Sequence, residues 1–228
     1  MLYYQGGYYL LQSRPIEFGS IKGKNLWTAS ACLNESYLDA WSYSWAGQEQ
    51  KLAICEKYGW SPAQLVALEQ WVDQQLEAGH LGWVNVFQNL ATAKAYKALF
   101  FEQEEVLCLG ISFAASQQQA LIQHCGPSSK LEGEIGLRQF LSQAIPENPA
   151  GKFLGYDLIG VEIDGSFHSL HCHDLQPILE EKFNLSFNDY GLIEEAANWQ
   201  AVLEYCNDEQ EAGLEPVPWF YVKVKLYE

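Results

Sequence analysis

The chain has 228 residues, 48% hydrophobic and 18% charged, which excludes a disordered chain and is enough to bury one large core or two smaller ones. Thirteen Lys and Arg against 29 Asp and Glu leave a net charge of −16, a field that repels nucleic-acid phosphates and anionic membranes. The excess is uneven: residues 1–150 carry nine Lys/Arg and 14 Asp/Glu, and residues 151–228 carry four and 15.

No apolar run approaches the length of a membrane span, and MLYYQGGYYLLQSRP lacks the basic start and cleavage site of a secretion signal. The six cysteines show no CxxC spacing, so they are expected to be reduced thiols in a cytoplasmic protein.

Taken in order, Tyr3–Gln12 is aromatic-rich with a Gly-Gly break and is expected to form a strand or small hairpin. The loop holding Gly19, Lys22, Gly23 and Lys24 has the composition of a phosphate loop but not its spacing, so it is set aside. Trp27–Leu33 is a second expected strand. From Ser36 the pattern turns helical, with Trp41, Trp45, Leu52, Cys55 and Tyr58 on one face, Gly47 dividing the run and Gly59 stopping it. Ser61-Pro62-Ala63-Gln64 is a strong helix start, followed by an apolar face of Leu65, Leu68, Val72 and Leu76 and a stop at Gly79. A third helix is expected over Val84–Leu99, with Phe87, Leu90 and Ala91 inward.

Glu105–Phe113 alternates as a strand does. Short helices are expected from Ser116 to Cys125 and over Leu131–Ile145. Pro146–Gly151 has the composition of a linker and coincides with the change in charge, suggesting parts 1–148 and 149–228. Asp174 is placed to cap a helix over Leu175–Phe183, and a second helix is expected from about Tyr190 to Cys206, with Leu192, Ala196, Trp199, Leu203 and Cys206 inward. Trp219–Tyr227 alternates strictly and is expected to join a hairpin in an antiparallel sheet. The fold class is therefore α+β: a mainly helical N-terminal part with a few strands, and an acidic ββααβ part whose antiparallel sheet packs with two helices.

That hairpin, within Phe153–Asp174, holds three of the five histidines. A two-residue turn at Asp164-Gly165 would set Ile163 opposite Ser166, Val161 opposite His168, Ile159 opposite Leu170 and Asp157 opposite Cys172. His168-x-x-His171-Cys172-His173 resembles a zinc cluster in composition. In a strand, however, alternate residues face opposite sides, so only His171 and His173 would share an ion, with His168 and Cys172 pointing away.

Other candidates are weaker. Gly110-Ile111-Ser112-Phe113-Ala114 has part of a nucleophile-elbow pattern, but the β/α alternation of such hydrolases is missing. Cys172 is flanked by histidines that a strand would turn away from it, and nothing selects His80 or His124 as the partner of another cysteine. The aromatic excess in the first fifth of the chain is mostly core material. The charge asymmetry favours a non-enzymatic, regulatory, inhibitory or toxin-neutralising protein that meets a basic protein partner through Glu194, Glu195, Glu204, Asp208, Glu209 and Glu211. The alternative is a zinc or similar metal-binding protein or metal-dependent enzyme using His171 and His173.

Overall fold

The computed structural model describes residues 1–36, 47–82, 86–102, 104–125, 136–195, 198–208 and 213–228. Among these, eight strands form one antiparallel sheet, accompanied by seven α-helices, an α+β fold. The strands are β1 (Tyr3–Gln12), β2 (Glu35–Ser36), β3 (Leu81–Gly82), β4 (Val86–Phe87), β5 (Leu107–Ala114), β6 (Lys152–Val161), β7 (Phe167–Ser169) and β8 (Trp219–Tyr227). Their order is β3-β4-β1-β5-β8-β6-β7, with β2 on β1. β8 pairs with β6, as its alternation predicts, and with β5 on its other side, so one sheet runs through both parts suggested by the linker.

Alternation assigns the two faces. Leu109, Ile111, Phe113, Ile159, Val161, Phe220, Val222 and Val224 lie on one, covered by α4 (Gln118–His124) and α5 (Leu137–Ser142) through Leu121, Phe140 and Leu141. The other face is covered in two places. Tyr8, Leu10, Cys108 and Tyr227 meet α2 (Pro62–Glu77) and α3 (Leu90–Phe100). Leu158, Trp219 and Tyr221 meet α6 (Gln176–Phe183) and α7 (Trp199–Cys206). Both faces of β8 are thus buried, where the sequence alone suggests one.

Local signals placed several elements well. Ser61 caps α2 with the reciprocal Gln64 bonds, and its buried residues are Leu65, Leu68, Val72 and Leu76. Gly59 takes the left-handed conformation (φ 64°) that ends α1 (Gln48–Tyr58), and the Gly47 amide donates to Gln50 Oε1. Trp41, Trp45, Ala196, Glu209 and Glu211 lie outside the described residues.

Other expectations are corrected. Trp27–Leu33 is a loop ending in a tight turn. α3 starts only at Leu90, capped by Asn89. Phe87 is buried as a strand residue, Leu90 is half-buried, and Ala91 faces solvent. α6 is not capped by Asp174, whose carboxylate instead accepts from the Ser20 amide and hydroxyl. The helix expected from Tyr190 begins at Trp199, because Ile193 bridges Tyr156 and Phe187 in extended conformation.

The most consequential correction is the hairpin register. Glu162 and Ser166 close the loop, leaving three residues, 163–165, with Gly165 at φ 88° and the Asp164 carboxylate accepting from the Ser166 amide. The pairs are Val161 with Phe167, Gly160 with His168 and Ile159 with Ser169. This one-residue slip exchanges the faces of β7. Phe167 enters the core, Ile163 is 68% exposed, and His168 leaves the Val161 face. The strand then ends, and Leu170–His173 form a 3₁₀ turn in which side-chain alternation no longer applies.

Stability measurements check this register. Ile163→Asp is expected to change the unfolding free energy by no more than about 0.5 kcal/mol, as at an exposed site. Phe167→Ala is expected to cost about 3 kcal/mol. The reverse ranking in denaturant titrations would restore the two-residue turn.

Candidate functional site

Residues 13–36 leave the sheet at the end of β1 and return to it as β2, forming a loop with a small core of its own. Ile16, Ile21, Leu26 and Leu33 bury one another, and Cys172 packs on them from the 3₁₀ turn. Backbone bonds between Ile16 and Lys24 and between Gly23 and Ile16 close the loop. The Asn34 side-chain amide donates to the Leu26 and Thr28 carbonyls at 3.1 and 2.7 Å, and Arg14 Nε donates to the Leu33 carbonyl. The Gly/Lys loop, which lacks phosphate-loop spacing, is therefore part of a folded platform, and this platform carries Cys32 on its solvent side.

Asp157 joins this platform to the hairpin. Its buried carboxylate accepts from Thr28 Oγ1 at 2.5 Å and from Ser169 Oγ at 2.9 Å. Thr28 lies four residues before Cys32, and Ser169 three before Cys172. Burial pushes the Asp157 pKa up to about 6, against the hydrogen bonds from Thr28, Ser169 and the backbone at Leu158 and Leu170.

Cys32, His168 and Cys172 converge at this junction, each offering one atom, and all three atoms lie within 4.8 Å of one another. Cys32 Sγ is 3.3 Å from His168 Nδ1. On the far side of the ring, His168 Nε2 is 3.4 Å from Glu162 Oε1 and 3.4 Å from Glu215 Oε2. Cys172 Sγ is 3.6 Å from Ser30 Oγ, and the same hydroxyl accepts from the Cys32 amide at 3.4 Å.

The charges support one another. A hydrogen bond from Cys172 lowers the Cys32 pKa; burial opposes this, the charge of His168 and bonds from Ser30 and His168 add to it, and the result is about 5. Cys172 is shifted upward, first by that same bond to Cys32 and then by burial. Burial alone would lower the His168 pKa, but Cys32, Glu215 and Glu162 outweigh it and raise it. Both shifts favour the charged forms, a Cys32 thiolate beside a His168 imidazolium, with two carboxylates behind the ring.

The two histidines singled out in the sequence have different surroundings. His171 is buried, its Nε2–H donates to the Gly191 carbonyl at 2.6 Å, its ring packs on Phe187, and burial lowers its pKa. His173 rests on Trp219, with Nε2 3.9 Å from Glu215. Of the pair, neither enters a group of three metal-capable donors among the described residues; His168 enters two. Glu194, Glu195, Glu204 and Asp208 are exposed on and near α7. Ser112 is buried within β5, as an ordinary strand residue.

Sequence reasoning missed Cys32, Glu162 and Glu215. Cys32 stands 136 residues from His168, and no local pattern marks it. No protein-family model, no curated protein and no solved structure matches this chain.

The role of Asp157 predicts a pH signature. Its raised pKa means that the folded chain holds this proton more tightly than the unfolded chain, where the carboxyl ionises near 3.8. Its contribution is therefore full at low pH and falls between about pH 4 and 6, by up to roughly 3 kcal/mol. Unfolding free energies of the wild type minus those of Asp157→Asn are expected to fall across that window and then level off. A difference independent of pH would remove Asp157 as a buried titrating group.

Proposed function

We propose that this protein acts through a nucleophilic cysteine, Cys32, with His168 as its proton partner and Glu162 and Glu215 orienting the imidazole. The observation that carries the reading is the 3.3 Å contact between Cys32 Sγ and His168 Nδ1, with carboxylates on the opposite ring nitrogen. A thiolate is the reactive form of cysteine, and a paired imidazolium keeps it charged at neutral pH. Carboxylates at Nε2 fix the ring orientation and stabilise its positive charge, as the third member of a catalytic triad does. Cys32 is exposed, so the sulfur is accessible to a substrate. A reducing, cytoplasmic setting is the one in which this thiol stays free.

This reading replaces the non-enzymatic acidic module as the leading proposal. The exposed glutamates support a solvated acidic surface, whereas the cysteine cluster joins charge, proximity and access at one atom.

Alkylation tests it. With limiting iodoacetamide at pH 6, Cys32 is expected to react first, well ahead of half-buried Cys55 on α1. His168→Ala is expected to slow Cys32 about tenfold at that pH and to move the pH midpoint upward, since the thiolate loses its counter-charge. Equal labelling of Cys32 and Cys55 would overturn the proposal. Stoichiometric zinc that masks Cys32 in protein purified without a chelator would replace it with a metal-binding reading.

A further inference from the structure

We infer that Cys32 and Cys172 form a redox pair, and that the substrate class of this site is a disulfide. The inference rests on Cys32 being the nucleophile proposed above and adds a second sulfur to its chemistry. A hydrolase or acyl transferase built on a Cys/His pair has no use for a second thiol beside the first. Here Cys172 Sγ lies within 4.8 Å of Cys32 Sγ, in the same group as His168.

The two sulfurs differ in access as attacking and resolving thiols must. Cys32 sits at an exposed turn, and Cys172 is recessed against the small core of Ile16, Ile21, Leu26 and Leu33. Of the other four cysteines, Cys108, Cys125 and Cys206 are buried and Cys55 is half-buried on α1. A disulfide bond is about 2.05 Å long, so closure requires the sulfurs to approach by less than about 3 Å. Ala31 and Cys32 are exposed while Leu33 is buried in the small core, so the approach has to come from the Cys32 side chain and the exposed residues that carry it. A cleft whose lining includes Asn207, Leu214, Glu215, Pro216 and Val217 shares Glu215 with the cluster, and we assign it to the chain flanking a substrate disulfide.

The steps balance as thiol–disulfide exchange. The Cys32 thiolate attacks one sulfur of R–S–S–R, forming a mixed disulfide and releasing RS⁻, which takes up a proton from the imidazolium of His168. Cys172 then gives its proton to the neutral His168 ring and attacks Cys32 Sγ, forming the internal disulfide and releasing the second R–S⁻. That thiolate is protonated in turn, and the net reaction converts two protein thiols and one disulfide into one protein disulfide and two small thiols. A dithiol reductant returns the pair to the starting state.

Mass spectrometry of the full chain decides the matter. Reduced protein is incubated with oxidised glutathione, quenched in acid, alkylated and mapped. The wild type is expected to end as a Cys32–Cys172 disulfide with two glutathione thiols released per chain. Cys172→Ser is expected to stop at a glutathione adduct on Cys32, and Cys32→Ser to react no faster than Cys55 does. A parallel arm with a peptide closed by a single disulfide distinguishes small from peptide substrates by which is consumed faster. If the wild type itself stops at the Cys32 adduct with Cys172 free, the redox pair is overturned while Cys32 remains the nucleophile. If Cys32 does not react ahead of Cys55, both readings fall.

Discussion

The Asp157 carboxylate is the constraint on which the site depends. It is buried in β6 and has no cationic partner among its hydrogen bonds, which come from Thr28, Ser169 and backbone amides. A buried polar group of this kind is costly unless its hydrogen bonds are made. Satisfying it therefore requires the loop from residues 13–36 and the end of the hairpin to meet at one place. Cys32 and Cys172 are each a few residues from a hydroxyl that Asp157 holds, so the requirement that satisfies the carboxylate also sets the spacing of the thiols.

The hairpin loop supplies the second constraint. Two residues or three at the tip is a small difference in chain length, but it decides which face every β7 side chain occupies. Gly165 tolerates the positive φ of the longer loop, and the Asp164 side chain replaces a backbone partner within it. Phe167 then fills the core beneath Val161, and His168 stands opposite Gly160, on the opposite face from Val161. The following 3₁₀ turn separates His171 from its neighbours: His171 turns inward to the Gly191 carbonyl, and Cys172 turns toward Ser30 and Cys32.

The site also has a mechanical logic. His168 lies between an exposed sulfur and two partly exposed carboxylates, at the edge strand of the sheet, where solvent can reach it. Cys172 belongs to the small core of the loop. Packing therefore holds one side of the cluster, and the other stands at a surface turn. Such a division suits chemistry in which one atom meets a substrate and its neighbour waits.

Much of the fold was legible in the sequence because its signals are local. The Ser61 capping box, the Gly59 stop and the 2-residue period of Trp219–Tyr227 act over a few residues, and each element formed where they place it. The hairpin could be located but not registered, because Asp164-Gly165 fits either loop length and the choice turns on whether Ile163 or Phe167 packs better in the core. The helix expected from Tyr190 failed because sheet contacts at Ile193 outweighed its weak helical pattern. The cluster itself was illegible. Cys32 has no distinguishing neighbours, and its partners lie at 162, 168, 172 and 215. What the sequence by itself determined was the α+β class and the positions of the elements with strong periodicity or caps. Only the tertiary structure decided the meeting of Cys32, His168 and Cys172. That meeting depends on the path of a loop around one buried carboxylate and on a one-residue choice of register, and neither leaves a periodic trace in the chain.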